Sequence, residues 1–542
     1  MPTKAIASNH VVLDHKYTHA TIVYSTDTGK IVEIYREIIP SRSDPRLSRF
    51  NVQEYIIVSP YTIIPGLVDS HVHLNEPGRT EWEGFASGTQ AAAAGGVTTV
   101  VDMPLNAIPP TTTIENLGIK LAAAQNQLWC DVAFWGGLVP SNLEDLVPLV
   151  RAGVRGFKGF LIDSGVDEFP MVTERYIRDA LRLLAGEKTM LMFHAELQTS
   201  EYDHTVVDCI NHEDTLKSIK SLDGTEDLTH DQMDALALSH VLSPAEPRHG
   251  GPSQIVHNDD LITPPLDAAA KLDENLTNID PTQYSSFLLS RPDKFETNAI
   301  SLIISCLKSA VEKYKDVPPV HIVHLASQEA IPIVATAKNV LNLPITAETC
   351  FHYLTFAAEN IPASSTYFKC CPPIRTEENR RALWKALREG VITTVVSDHS
   401  PCTPELKNLA KGDFFSAWGG ISSVGLGLSI LLTEGSKMNP PVSLIDIVRW
   451  CCENTAIQVG LQDRKGFLKV GHDADFVILD EHQTQKIKNR QVFFKNKLTA
   501  YDGLELKGCV LATFLRGQEA FRWEDGHSKS PLGIPLLKPR NC

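Results

Sequence analysis

Gly66-Leu-Val-Asp-Ser-His71-Val-His73-Leu-Asn75-Glu-Pro77 follows an apolar run that starts at Tyr55. In an extended strand, residues two apart point to the same face. His71 and His73 can therefore approach one metal ion together, at the end of a buried strand. The question is what other segments bring to the same end.

Between positions 55 and 400 strand-like and helix-like segments alternate. The strand candidates are 63–73, 97–103, 131–138, 154–161, 190–196, 320–326, 345–351 and 391–399. They are short, β-branched and almost continuously apolar, as parallel strands covered on both faces are. Helix-like stretches at 83–94, 114–125, 143–152, 173–184, 328–339 and 377–388 lie between them. Eight strands with intervening helices predict an α/β chain, a (β/α)8 TIM-like barrel. An open doubly wound sheet would need a Gly-rich phosphate-binding turn after the first strand, and none follows.

The flanks read differently. Short strands are expected at 6–13, 20–24 and 30–36, and again within 466–480, 510–516 and 519–522. Neither flank has enough apolar surface for its own core. Pairing the two ends into one small β-sandwich resolves this. The expected domains are residues 1–62 and 461–542 as the two parts of the sandwich, and 63–460 as the barrel. An insertion at about 198–293 interrupts the barrel; it is polar and weakly periodic, as a functional or passive loop would be. Its His204, His212, His230, His240, His249 and His257 show no coherent ligand spacing and read as surface histidines.

The 542 residues carry a net charge of -15, with 43% hydrophobic and 21% charged residues. That balance suits a soluble enzyme and argues against nucleic acid or an anionic membrane as partner. The N-terminus lacks the apolar core of a signal peptide, and no run approaches the ~20 residues of a membrane span. Eleven scattered cysteines form no regular framework, so free thiols in a reducing cytoplasm are expected.

In a barrel, chemistry gathers at the C-terminal ends of the strands. The first strand ends with His71 and His73, and the fourth carries Gly156-Phe-Lys158. The fifth ends with His194-Ala-Glu196, the sixth with His321-Ile-Val-His324, and the eighth with Asp398-His399-Ser400. A lone buried histidine is more often a satisfied core residue than a ligand. Chance would not readily place so many such groups at one end of so many strands. Lys158 is the oddity, because burying an ammonium is costly. A carbamate made from lysine and carbon dioxide would instead offer two anionic oxygens, one to each of two metals. Burial favours the neutral amine that this reaction requires.

These residues, with Pro65-Gly-Leu-Val-Asp-Ser-His-Val-His73, Glu76-Pro-Gly-Arg79, Asp102-Met-Pro-Leu-Asn106, Glu348-Thr-Cys-Phe-His-Tyr353, Pro372-Pro-Ile-Arg375, Ser397-Asp-His-Ser-Pro-Cys402 and Trp418-Gly-Gly420, make the chain resemble a known family. It is the cyclic amidohydrolase branch of the metal-dependent amidohydrolase superfamily, and within it the allantoinases. The resemblance implies a binuclear site. His71, His73 and Asp398 would hold one divalent metal and His194 and His324 the other. Carboxylated Lys158 and a hydroxide would bridge them. Zinc suits this donor set, and carbon dioxide or bicarbonate would supply the carbamate. His321, three residues before His324, would face the other way and serve structure.

The implied reaction is hydrolytic opening of a cyclic amide, allantoin to allantoate, with Asp398 as the proton-transferring residue. Asn75, Cys371, His399 and Ser400 would contact substrate, Cys371 through its backbone. Dihydroorotase-like members carry a carboxylate-gripping arginine at the position of Asn75, so an uncharged ring fits better. Dihydropyrimidinase or hydantoinase chemistry is the alternative. A noncatalytic scaffold would be expected to have lost a ligand, and all six positions are intact. Members of this branch are expected to assemble as homotetramers or homodimers.

Overall fold

The computed structural model describes residues 2–198 and 279–540. Eight parallel segments carry its centre. They are β1 (Leu67–Val72), β2 (Val97–Asp102), β3 (Asp131–Phe134, resuming at Gly136–Gly137), β4 (Phe157–Phe160), β5 (Leu191–His194), β6 (Val320–Ile322), β7 (Ile345–Cys350) and β8 (Thr394–Val396). Nearly every residue in them is buried, which explains their continuous apolar character. β1, β2 and the first part of β3 form one parallel sheet, and the second part of β3 through β8 another. β3 is common to both. On the far side, Val72 of β1 makes a parallel bridge to His399, just past β8.

Helices follow most of these strands. Glu377–Arg388 shows why its sequence ends where it does. Thr376 caps the first turn by accepting from the Asn379 N–H, Glu377 and Glu378 sit in that turn, and Lys385 and Arg388 occupy the last. Both ends thus match the helix dipole. The stretch expected as one helix at 328–339 is instead three short pieces: a 3-10 turn Gln328–Ala330, an α-helical turn Ile331–Ala335 and a π-helical turn Thr336–Val340. Pro332 sits in the first turn of the middle piece, where its missing N–H is tolerated.

The insertion's histidines 204 to 257 lie outside the described residues. Its last part carries a helix at Tyr284–Ser290 where weak periodicity had been expected, and a 21-residue helix, Asp293–Lys313, follows. Tyr284 and Phe287 pack on Phe414, so this portion joins the core.

The strand expected at 63–73 is broken at Gly66. Thr62–Pro65 leaves the parallel sheet and pairs antiparallel with Phe476–Leu479 and parallel with His10 and Val11. The Gly66 N–H donates to the Asp475 carbonyl at 3.0 Å, and the next N–H, of Leu67, turns to Gly96. A Cβ on Gly66 would lie 2.2 Å from Thr98 Oγ1, so the crossing requires glycine.

Thr62–Pro65 therefore sits between strands from both chain ends. Thr3–Leu13, Lys16–Ser25, Ile31–Tyr35 and Val52–Ile57 lie on one side; Phe476–Lys486, Glu505–Leu515, Gln518–Arg522 and Gly526–His527 on the other. Together they make one nine-stranded hydrogen-bonded sheet that draws strands from both chain ends. Buried charges join it to the parallel strands. Lys465 Nζ lies 2.6 Å from Asp131 at the start of β3, 2.6 Å from Asp475 and 2.9 Å from Asp473. Arg516 pairs with the other oxygen of Asp131. No helix among the described residues is long and apolar enough to cross a membrane.

Candidate metal centre

The ends of β1 and β8 meet first. Val72 bridges to His399, and the His73 N–H donates to the His399 carbonyl at 2.8 Å. This brings Asp398 Oδ1 to 3.1 Å from His71 Nε2 and 3.5 Å from His73 Nε2. The three ligand atoms lie within 4.8 Å of one another, all buried. From His71 the rings continue inward. His71 and His324 have centroids 5.5 Å apart, and His324 and His194 are 4.6 Å apart. Four histidines from β1, from the end of β5 and from just beyond β6 thus form one row.

Lys158, in the middle of β4, is 1% exposed and makes no ion pair among the described residues. Its ammonium lies 5.0 Å from the Phe160 ring. Burial lowers its pKa to about 8, against the opposing pull of Asp398 and Glu348. Burial above all, with a smaller contribution from the Lys158 charge, disfavours protonation of His73, His194 and His324.

The histidines are aimed by carboxylates. His71 Nδ1 lies 2.5 Å from Glu348 Oε1, leaving Nε2 for the centre. His194 Nε2 lies 2.5 Å from Glu196 Oε2, and Arg291 donates to both oxygens of that carboxylate. Such partners fix which ring nitrogen faces a metal. Burial alone would push Glu348 up, but the charges and hydrogen bonds of His71 and His321 hold it far below the usual carboxylate range. Burial likewise opposes ionisation of Asp398, and the His71 charge with hydrogen bonds from His71 and His73 outweighs it, so Asp398 stays anionic. Asp398 has φ 41° and His324 φ 39°, a left-handed backbone that non-glycine residues avoid outside constrained sites.

The expected substrate contacts divide. Asn75, with φ 61°, is buried; its Nδ2 reaches the Pro401 carbonyl at 3.4 Å, and its Oδ1 has no partner. Cys371 is half-buried beside Gly419, and Ser400 is buried with its N–H on the Ile421 carbonyl. His399 is turned away from the centre. Its Nε2 meets Glu83 at 3.1 Å, and its Nδ1 accepts from the backbone N–H groups of Ser423 and Val424, so neither ring nitrogen is left for a ligand. His321 spans Thr346 and Glu348 with its two nitrogens.

Glu348, Asn106 and Arg291 were not singled out for the site from sequence. Asn106 Nδ2 contacts His73 Nδ1 at 3.3 Å. The signal for Glu196 was present: two residues past His194, it lies on the same strand face. Glu348 lies inside the buried strand β7, and no local pattern ties it to His71.

Imidazoles beside a carboxylate have the chemistry to hold a divalent ion, and the carboxylate can exchange a proton with water or a bound amide. The amidohydrolase family matches residues 62–246 and 304–520. The chain is 52% identical over 541 residues to the allantoinase of Saccharomyces cerevisiae, covering 100% of each. It is 40% identical over 476 residues to the allantoinase of Streptomyces avermitilis, covering 88% of this chain and 87% of that one. Among solved structures, the L-hydantoinase (dihydropyrimidinase) of Arthrobacter aurescens superposes with TM-score 0.76 at 23% identity, covering 98% of this chain and 99% of that one.

Proposed function

The chain belongs to the amidohydrolase family, and from that premise we propose that it acts as an allantoinase, opening the hydantoin ring of allantoin to allantoate by hydrolysis. The observation that carries this reading is the convergence of His71, His73 and Asp398 in a chain alike from end to end to the yeast allantoinase. We assign His71, His73 and Asp398 to one divalent ion and His194 and His324 to a second. Carboxylated Lys158 would lie between them. The donors fit: among the described residues the buried His324 Nδ1 has no hydrogen-bond partner and Lys158 makes no ion pair. Imidazole with carboxylate and carbamate oxygen suits zinc. The same reading takes the eight parallel strands as a (β/α)8 barrel, supported by the bridge between β1 and the residue after β8. It also takes the enzyme as a cytoplasmic homotetramer or homodimer, a location that suits the nine free cysteines among the described residues.

Two divalent ions, when bound, supply Lewis-acid polarisation of a carbonyl and a nucleophilic water at neutral pH. The chain's own residues do the rest. Asp398, anionic at the start, accepts the proton that water gives up. It then delivers that proton to the departing ring nitrogen, which would otherwise leave as a very poor amide anion. Glu348 and Glu196 hold His71 and His194 in place. Asn75, Ser400 and the Cys371 backbone border the substrate.

The test is a comparison of kcat/KM for allantoin, hydantoin, dihydrouracil and dihydroorotate, with zinc and bicarbonate supplied. Allantoin is expected to lead, and dihydroorotate to be refused for want of a cation at Asn75. A preference for dihydrouracil would overturn the assignment.

A further inference from the structure

His352 opens the short helix Phe351–Thr355 that follows β7. It is fully buried, and among the described residues neither ring nitrogen has a hydrogen-bond partner. Four neighbouring histidines, His71, His194, His321 and His399, each meet a carboxylate, and His324 is bare at Nδ1 alone. A buried polar group without a partner costs about 1–3 kcal/mol, so an imidazole left bare on both sides points to a partner that arrives from outside the protein. A His352 ring nitrogen, an Asp398 oxygen and the Cys350 sulfur lie within 4.8 Å of one another. The bare imidazole thus borders the residue that handles the proton.

We propose that His352 is a further catalytic residue, donating a hydrogen bond to the carbonyl oxygen attached to the departing ring nitrogen. The inference rests on the ring-opening reading above. Asp398 gives its proton to that nitrogen, so groups beside Asp398 face the leaving side of the substrate. In a hydantoin the leaving nitrogen lies between two carbonyls. One is attacked; the other stays bonded to nitrogen. As the C–N bond breaks, its electron pair moves to nitrogen and is shared with the oxygen of the second carbonyl. The Asp398 proton goes to nitrogen, and His352 keeps its own. A neutral imidazole has one donor and one acceptor nitrogen. A fixed donor aimed at an oxygen that gains charge only in the transition state accelerates the step rather than tightening substrate binding.

The experiment uses the zinc-loaded full chain and allantoin, comparing wild type with His352→Leu and His352→Gln. Leucine removes the donor, and glutamine restores an N–H. His352→Leu should lose kcat by about 100-fold, the usual scale for one such donor, with little change in KM, zinc content or melting temperature. His352→Gln should regain a large part of that loss. Undiminished kcat in His352→Leu overturns the inference. So does an equal loss in both variants with lowered melting temperature, which marks a packing role. Loss of a bound zinc equivalent in His352→Leu, repeated in Cys350→Ala, overturns it in favour of a metal held by Cys350, His352 and Asp398. No turnover by the wild type would remove the ring-opening reading and this inference together; an active wild type with an equally active His352→Leu removes only the second.

Discussion

Glu348 serves His71 with one oxygen and His321 with the other, so the orientation of one ligand depends on a residue that binds nothing itself. Lys158 has a similar reliance on its surroundings. For the proposed carbamate to form, its amine must be neutral, and burial brings its pKa down to about 8. The neutral fraction grows as pH rises through that value. Metal-free protein given zinc and bicarbonate should therefore regain its second zinc faster at pH 8.5 than at about pH 6.5, well below that midpoint; metal analysis over time reads this. Lys158→Ala should fail to hold the paired ions, with partial recovery in a short carboxylic acid, and two full zinc equivalents in that variant would remove the bridging role. His71, His73 and Asp398 were legible in the sequence because period-two spacing and strand ends place them. Glu348 was not, because its partner His71 is 277 positions away and no local pattern links them. His399 misled for the converse reason: adjacency to Asp398 says nothing about its ring, which a carboxylate from after β1 draws aside.

At the scale of elements, a continuous apolar run hid a change of sheet. Both sheets demand buried residues, so 63–73 reads as one strand, and only the hydrogen-bond partner of Gly66 separates its halves. Gly66→Ala would drive a methyl into Thr98. Overpacking of this kind costs about 1–3 kcal/mol, and a denaturant titration should show it, with His71 and His73 displaced enough to weaken zinc binding. Unchanged stability and zinc affinity would mean that Thr98 yields freely. The helix Asp293–Lys313 went unread because the polar segment before it masked its start. Its Glu296 is buried, accepting from the Ala326 and Ser327 N–H groups and pairing with Arg375. A charged residue on the inner face weakens the apolar periodicity that would have announced the helix. Glu377–Arg388 was legible to the residue, since caps and charge pattern agree with its period.

Over the whole molecule, the nine-stranded sheet and the parallel strands are fastened by Lys465 among Asp131, Asp473 and Asp475. Replacing it by methionine leaves the buried Asp475 without a side-chain cation among the described residues, while Arg516 still pairs with Asp131 and Lys30 and Arg464 with Asp473, a loss of about 3–5 kcal/mol. Burial works against both charges, but the carboxylates raise the Lys465 pKa and Lys465 lowers that of Asp473. The Lys465 contribution is fully present below its unfolded value, about 10.4, and fades as pH rises past it; that of Asp473 is present above about 3.9 and fades in acid. The melting-temperature gap between wild type and Lys465→Met should be constant near neutrality and narrow at both extremes. A gap that widens in acid would contradict the pairing. The same sheet joins residues made at opposite times. Tyr17 donates to Glu481, 464 positions later, and Gly66, at the root of β1, is held by Asp475. Contacts so distant in sequence are slow to form. During synthesis the root of β1 lacks Asp475 until nearly the whole chain has emerged, so zinc delivered to a growing chain would meet His71 and His73 with only β2 to hold them in register.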